Sequence, residues 1–361
     1  MRLQRLELRN YRNYTRLDLE PGPELNLFLG ANGQGKTNLL ESVALLALST
    51  SPRTRRESEL IGPLAPETRI TGSVENAGRN HEVQLSVTVQ DERSKRRITV
   101  DGQARRAVDL PGACRVTLFW PDDLDLVKAG PEHRRRMLNQ MLVQVRPGYA
   151  RTLAGYTRVL EQRNRLLKQV GAHEQAEAAL DVWDLELASL GGELARARAE
   201  TVAALAPAAA AAHRGISGGE KLEIEYVGPP TDLLGALGAG RREDLARGVS
   251  TLGPHRDDVR FRLNERDARA FASQGQQRTA VVSLKLAEAE VVRAVTGEAP
   301  ILLLDDVLSE LDGGRRAALL ERVEAGGQVI VTSVDVDPFP SAMVGRALVG
   351  CIEGGRVRAC G

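Results

Sequence analysis

Aromatic side chains are scarce: five Phe, five Tyr and two Trp make up 3% of the 361 residues. A groove that holds single-stranded nucleic acid stacks bases on rings, and so poor a supply excludes stacking as the main mode of recognition. Long apolar runs are missing too. A stretch such as "ILLLDDVL" is far shorter than the ~20 residues a bilayer-spanning helix needs, and the N-terminal "MRLQRLELRN" alternates charge with leucine, unlike a signal peptide. The expectation is a cytoplasmic protein. Cysteine is limited to Cys114, Cys351 and Cys360, whose scatter predicts neither a disulfide framework nor a CxxC-type zinc site. An excess of one charge is also absent, with 49 basic against 48 acidic residues. Affinity for a polyanion must therefore come from local patches.

What is present is the material of a globular protein, 42% apolar and 27% charged, long enough for about two domains. Residues 1 to about 30 read as two strands, "LQRLELRNY" and "ELNLFLG", with a helix from Lys36 to Leu48 behind them. Alternating stretches between 68 and 120 predict a strand-rich sub-sheet. From Leu124 to about Arg214 the period turns helical, with Met137, Leu138, Met141 and Leu142 on one apolar face and Leu153, Tyr156, Leu160 and Leu167 on another. A third helical stretch, Asp181 to Ala212, is interrupted by Gly191, Gly192 and Pro207. At 1.5 Å per residue these helices are about 30 to 45 Å long, which predicts a compact helical lobe and not an extended coiled coil. The chain then returns to a strand–helix rhythm that favours a buried parallel sheet. The expected organisation is an α/β domain in two parts, 1–122 and 249–361, with the helical lobe 123–248 inserted between them.

The stretch Gly30-Ala31-Asn32-Gly33-Gln34-Gly35-Lys36-Thr37 fits GxxxxGK[ST] in full, after an apolar strand and before a helix. Glycines let successive backbone N–H groups curl around phosphate oxygens, the lysine reaches the β/γ-phosphates and the hydroxyl ligates Mg²⁺. Such a loop needs a carboxylate on a neighbouring strand, and "ILLLDD" supplies Asp305 for the metal and Asp306 to polarise the attacking water.

A loop that grips a partner's γ-phosphate begins a helix shortly upstream of that acidic strand. Ile216-Ser217-Gly218-Gly219-Glu220 has the familiar letters, yet it precedes the strand-like "KLEIEYV" and lies nearly ninety residues before Asp305. Ser273-Gln274-Gly275-Gln276-Gln277 precedes a helical pattern about thirty residues before Asp305, and its Ser273 hydroxyl and Gly275 N–H are placed to donate to a phosphate. Beyond the acidic strand, Ser309-Glu310-Leu311-Asp312 is the expected interface-crossing loop.

These motifs, with GPHRDD (253–258), "LRNYRNY" (8–14) and "FWPDDLDLVKAGPEHRRRML" (119–138), occur in the order and spacing of the RecF family, and the resemblance spans nearly the whole chain. It is similar to bacterial recombinational-repair ATPases related to the ABC-type heads of chromosome-structuring proteins. The resemblance implies a P-loop ABC-type head and an ATP-dependent homodimer with two nucleotides sandwiched between one subunit's P-loop and the other's signature. It also implies DNA binding at gaps or junctions, slow ATP hydrolysis, and help to RecO and RecR in loading RecA. Carried over, Gly30 to Thr37 with Asn38, Arg12 and Asn13 bind ATP. Thr37 and Asp305 place Mg²⁺, Asp306 supports hydrolysis, and Ser273 to Gln277 act in trans. Asp306 stands where the wider ABC pattern has Glu, consistent with slow turnover. Thr332 replaces a switch histidine, Asp122 or Asp123 a lobe-linking glutamine, and Asn139 an expected aspartate.

Arginine clusters supply the local charge: Arg53, Arg55 and Arg56, then Arg96 and Arg97, then Arg134 and Arg135. With no aromatics between them, they predict backbone recognition of duplex DNA that weakens as salt rises.

Overall fold

A computed structural model of the chain describes residues 1–90, 93–110, 112–169, 174–324 and 327–360. The chain divides into two compact units, one of residues 1–124, 208–220 and 272–361, the other of 125–207 and 221–271. A single insertion at 123–248 is thus not what forms. The last turns of a long helix bury Ala212 and His213 in the first unit, and residues 258–263 pair as a strand with 222–227 in the second. Both choices follow from which apolar faces find partners.

The first unit opens with β1 (Arg2–Tyr11), β2 (Tyr14–Leu19), β3 (Leu25–Leu29) and helix α1 (Lys36–Leu48). Then come β4 (Glu67–Asn76), β5 (Arg79–Gln90), β6 (Arg93–Val100), β7 (Gln103–Arg105) and β8 (Val116–Phe119). The second unit holds α2 (Asp125–Lys128), α3 (Pro131–Val145), α4 (Tyr149–Gln169) and most of α5 (Glu174–Ser217). It continues with β9 (Leu222–Val227), α6 (Leu233–Arg247), β10 (Asp258–Leu263), β11 (Arg266–Asp267) and α7 (Ala268–Phe271). Back in the first unit are α8 (Gln274–Thr296), β12 (Ile301–Asp305), α9 (Gly313–Glu324), β13 (Val329–Ser333), α10 (Ser341–Val344), β14 (Leu348–Glu353) and β15 (Arg356–Ala359).

Two six-stranded sheets build the first unit. One, β2-β1-β4-β5-β6-β7, is antiparallel and alternates buried with exposed residues; the other, β15-β14-β3-β13-β12-β8, is parallel apart from β15. Strands β12 and β13 are buried at every position, the signature of a parallel sheet covered on both faces. Helix α1 packs on both sheets, and eleven of its thirteen residues are buried, which is why its apolar residues do not confine themselves to one stripe. The approach is close: a Cβ on Gly72 would stand 2.4 Å from Leu46 Cδ1. A side chain there would push helix and sheet apart.

Helix α5 runs 44 residues, about 66 Å at 1.5 Å per residue, so neither the glycine pair nor Pro207 interrupts it. Gly191 is small for packing, since a Cβ there would lie 2.9 Å from Leu233 Cδ2. Buried Leu205 and Ala209 flank Pro207, and their burial offsets its lost hydrogen bond. The cysteine expectation is also corrected. Cys351 and Cys360 form a disulfide across the β14–β15 hairpin, because antiparallel pairing brings together residues nine apart in sequence. No described helix is long and apolar enough to cross a membrane.

The interior of the second unit is polar where helices meet. Arg163 is fully buried and pairs with Asp184 and Asp244, both at 2.6 Å. Arg198 pairs with Asp257 at 2.9 Å and donates to the Pro254 carbonyl and to Asn139. The GPHRDD segment therefore tethers α5, and Asn139 serves it as a hydrogen-bond acceptor.

Candidate nucleotide site

Pairing within the parallel sheet sets Phe28, Thr332 and Asp305 side by side at the C-terminal ends of β3, β13 and β12. The P-loop leaves β3 at that edge. Gly33 and Gly35 adopt φ of 81° and 115°, open to glycine at little cost, and Gly35 caps the start of α1. The loop and the ends of β12 and α1 enclose a cavity of about 420 Å³ that also takes in Asn38, Arg53 and Pro121. Lys36 is buried, its Nζ donating to the Gly30 carbonyl at 2.5 Å and the Ala31 carbonyl at 3.2 Å.

Asp305 sits at the centre. It accepts from the Thr37 hydroxyl at 2.8 Å and from the Thr332 hydroxyl at 2.7 Å. Burial raises its carboxyl above the ordinary range, an effect that Asp306 reinforces and the two hydroxyls and Lys36 oppose. Asp306 is in the left-handed region at φ 53°, and its buried Oδ1 has no hydrogen-bond partner. A carboxylate oxygen left unpaired at a cavity wall is costly and fits a water or cation there. The oxygen set of Thr37, Asp305 and Asp306 is of the hard type that suits Mg²⁺.

The hairpin β14–β15 and the turn between β1 and β2 brace the loop from behind. Gly354 N donates to Gln34 Oε1 at 2.8 Å and Gly355 N to the Gln34 carbonyl at 3.1 Å. Asn13 Nδ2 shares that carbonyl at 2.9 Å and Tyr14 holds the Gly35 carbonyl at 2.9 Å. A Cβ on Gly355 would stand 2.1 Å from the Asn13 carbonyl oxygen, at a φ of +73°. Gly355→Ala should therefore weaken ATP-analogue binding by about tenfold or more, the effect of one displaced loop amide losing a hydrogen bond to a charged phosphate, roughly 1.5 kcal/mol. Titration with a fluorescent ATP analogue checks it, and wild-type affinity would refute the bracing role.

Glu41, on the second turn of α1, belongs to no motif. Fully buried, it accepts from Tyr11 at 2.8 Å, Arg12 at 2.8 Å, Ser51 at 2.5 Å and Arg53 at 3.4 Å. Burial pushes its carboxyl up, but the donors Arg12, Ser51 and Tyr11 outweigh that and hold it below the usual value. Its only signal in the sequence is a lone acid in the apolar run "LLESVALLAL". Arg12, expected at the nucleotide, is spent on Glu41 and does not line the cavity; Arg53, expected on DNA, does line it and donates to Asn38 at 2.7 Å.

Ser273 caps α8 and forms a capping box with Gln276, its oxygen accepting from the Gln276 N–H. Its hydroxyl proton remains available to a phosphate. The five residues from Ser273 to Gln277 contribute nothing to the lining of the chain's own nucleotide cavity. The rival loop ends α5 through Gly218 and Gly219 at positive φ and leads into β9. The two loops nevertheless meet, because Gln276 Nε2 donates to Glu220 at 2.5 Å. Ser309 donates to the Asp306 carbonyl at 2.7 Å, Leu311 is buried and Asp312 caps α9; the Glu310 side chain lies outside the described residues. Asp123 accepts from the Trp120 N–H and lies 3.8 Å from buried Lys285, whereas Asp122 is exposed, and Pro121 is their segment's only residue on the cavity wall.

Of the remaining arginines, Arg134 is buried, pairing with Asp258 at 2.6 Å and donating to the Leu126 and Ala129 carbonyls. Arg135 donates to the Asp257 carbonyl at 2.6 Å, and Arg96 pairs with Glu57 at 2.6 Å. All three are corrected to internal ties, because carboxylates and carbonyls distant in sequence fold against them. Arg55, Arg56 and Arg97 are exposed.

This fold and site define an ABC-type P-loop ATPase head. Residues 2–353 match the RecF/RecN/SMC N terminal domain. The chain is 38% identical over 371 residues to the DNA replication and repair protein RecF of Listeria monocytogenes serotype 4b, covering 99% of this chain and all of that one. It is 39% identical over 376 residues to that of Halalkalibacterium halodurans, covering the whole of both. A solved structure of the recombination mediator protein RecF-ATP in the RecFOR pathway superposes with a TM-score of 0.90 at 30% identity, over 99% of this chain and 97% of that one. The Smc head domain of Pyrococcus furiosus, at a TM-score of 0.56 and 14% identity over 99% of this chain and 95% of that one, shares the fold alone. The chain belongs to the RecF family.

Proposed function

We propose that two copies of the chain close on two ATP molecules, clamp DNA at gaps or single-strand–duplex junctions, release it by slow DNA-stimulated hydrolysis, and help RecO and RecR load RecA. The observation that carries the reading is the division of one phosphate-binding apparatus over two places. The cavity gathers the P-loop, Thr37, Asp305 and Asp306, while the helix-starting signature at Ser273 is exposed and outside that wall. A second copy is the natural source of the missing donors.

In this reading the amides from Gly30 to Thr37 hold the phosphates, and Lys36 turns from the Gly30 and Ala31 carbonyls to the β/γ-phosphates. Mg²⁺, held by Thr37 and Asp305, would neutralise charge on the transferring phosphoryl group. Asp306 orients the attacking water, and as the shorter acid it reaches less far than a glutamate, in keeping with slow turnover. Ser273 and the Gly275 N–H complete the site in trans. Sedimentation tests this directly: the chain should run as a monomer alone, as a dimer with ATP and Mg²⁺, and with gapped duplex co-sedimenting only in the ATP state. Nucleotide-independent mass and DNA retention would overturn it.

A further inference from the structure

Cross-strand register places arginines in a line on the outer face of the antiparallel sheet. Arg16 on β2 is opposite Arg9 on β1, Arg9 is opposite Arg69 on β4, and Arg69 is opposite Ser86 on β5, which in turn is opposite Arg97 on β6. All four arginines are exposed. Like charges directly opposite one another destabilise a sheet, so the row is a cost to folding that the fold itself does not explain. The nearby carboxylates relieve it only in part: Asp18, held low first by Arg5, also feels Arg16 and Arg9 through space. Glu7 and Asp18 are both engaged by Arg5, at 3.0 and 2.7 Å. Arg69 has only a long contact to Glu67 at 3.7 Å, and Arg9, Arg16 and Arg97 make no side-chain ion pair among the described residues.

We infer that this face, through Arg16, Arg9, Arg69 and Arg97, is a docking surface for the sugar-phosphate backbone of duplex DNA. The inference rests on the DNA-clamp reading and gives it a location. Strands lie ~4.8 Å apart, so four inter-strand steps from Arg16 to Arg97 span ~19 Å. That length crosses a major groove of ~12 Å and meets the backbones on both sides of it. Lys95 and Arg93 continue the same face along β6, by the two-residue period of the strand. No aromatic residue stands on it, and Tyr11 and Tyr14 at the end of the hairpin are fully buried. Duplex backbone, and not stacked single strand, is the polyanion that fits. The opposite face of the sheet is packed against α1, so binding here leaves the nucleotide cavity open.

The test is binding of a labelled duplex with ATP and Mg²⁺ over a potassium chloride series. The wild type is compared with the combined variant Arg9→Gln, Arg16→Gln, Arg69→Gln and Arg97→Gln, and with Arg55→Gln, Arg56→Gln. Each phosphate contact contributes about 0.9 to the slope of log affinity against log salt, so the fourfold variant should lose about 3 to 4 units of slope. Its thermal midpoint should be unchanged or higher, since like-charge pairs are removed, and its ATP-dependent dimer should persist. Wild-type duplex binding with an unchanged slope in the variant overturns this surface while leaving the clamp reading standing, as does loss of slope confined to the Arg55, Arg56 variant. No duplex binding by the wild type in either nucleotide state overturns the clamp reading and this surface together.

Discussion

Ser273→Arg should abolish the proposed ATP-dependent dimer and leave nucleotide binding by the single chain intact. Ser273 is exposed at the start of α8, and its only structural duty is the capping box with Gln276. Losing a cap costs about 1 kcal/mol, too little to unfold a chain of this size, so the folded head persists. The cavity proposed to hold nucleotide in cis includes no residue from Ser273 to Gln277, and monomer affinity for an ATP analogue should stay at the wild-type level. What disappears is a hydroxyl donor to the partner's γ-phosphate, replaced by a long side chain across the sandwich. Losing a hydrogen bond to a charged group costs roughly 1.5 to 3 kcal/mol, about tenfold to a hundredfold in dimer affinity, and the added bulk increases that. Sedimentation with ATP decides it. Ser217→Arg serves as the control: Ser217 is the last residue of α5 before two glycines at positive φ and a strand. If that variant loses the dimer and Ser273→Arg keeps it, the two loops have been assigned the wrong way round.

Lys36→Arg retains the charge and should still lose the proposed ATP hydrolysis by about a hundredfold or more, on the scale set for a misplaced charge-stabilising group. The reason is shape. Lys36 Nζ fits between the Gly30 carbonyl at 2.5 Å and the Ala31 carbonyl at 3.2 Å, beneath a loop whose backbone is pinned through Gln34 by Gly354, Gly355 and Asn13. A compact ammonium fits that space; a planar guanidinium does not. The variant should bind the ATP analogue weakly, form no ATP-dependent dimer and retain its thermal midpoint. Turnover within a few-fold of the wild type would show that charge alone suffices and would remove Lys36 from its proposed role. Together the two variants separate the halves of the site, since Lys36→Arg fails in the monomer and Ser273→Arg only in the dimer.

Much of the fold was legible because its signals are local. The apolar runs of β3, β12 and β13, the start of α1 at Lys36 and the helix behind "SQGQQ" each carry their period within a dozen residues. The hairpin strand β2 was not legible, since "YTRLDL" is half polar and gains its place by pairing with β1. The Cys351–Cys360 bridge, the passage of α5 through Pro207 and the return of residues 208–220 to the first unit likewise depend on partners far along the chain.

The sequence by itself laid out the proposed phosphate site. A P-loop is a contiguous run of backbone N–H groups, so Gly30 to Thr37 declare its motif without help, and the acidic pair Asp305 and Asp306 at the end of an apolar strand is its proposed complement. Only the tertiary structure decided what each arginine does. An arginine's role is set by the carboxylate or carbonyl that folding brings within hydrogen-bond reach. Glu41 claims Arg12 and Asp258 claims Arg134 across 29 and 124 residues of chain. Arg9, Arg16, Arg69 and Arg97, which no run of sequence groups together, are aligned by strand register alone.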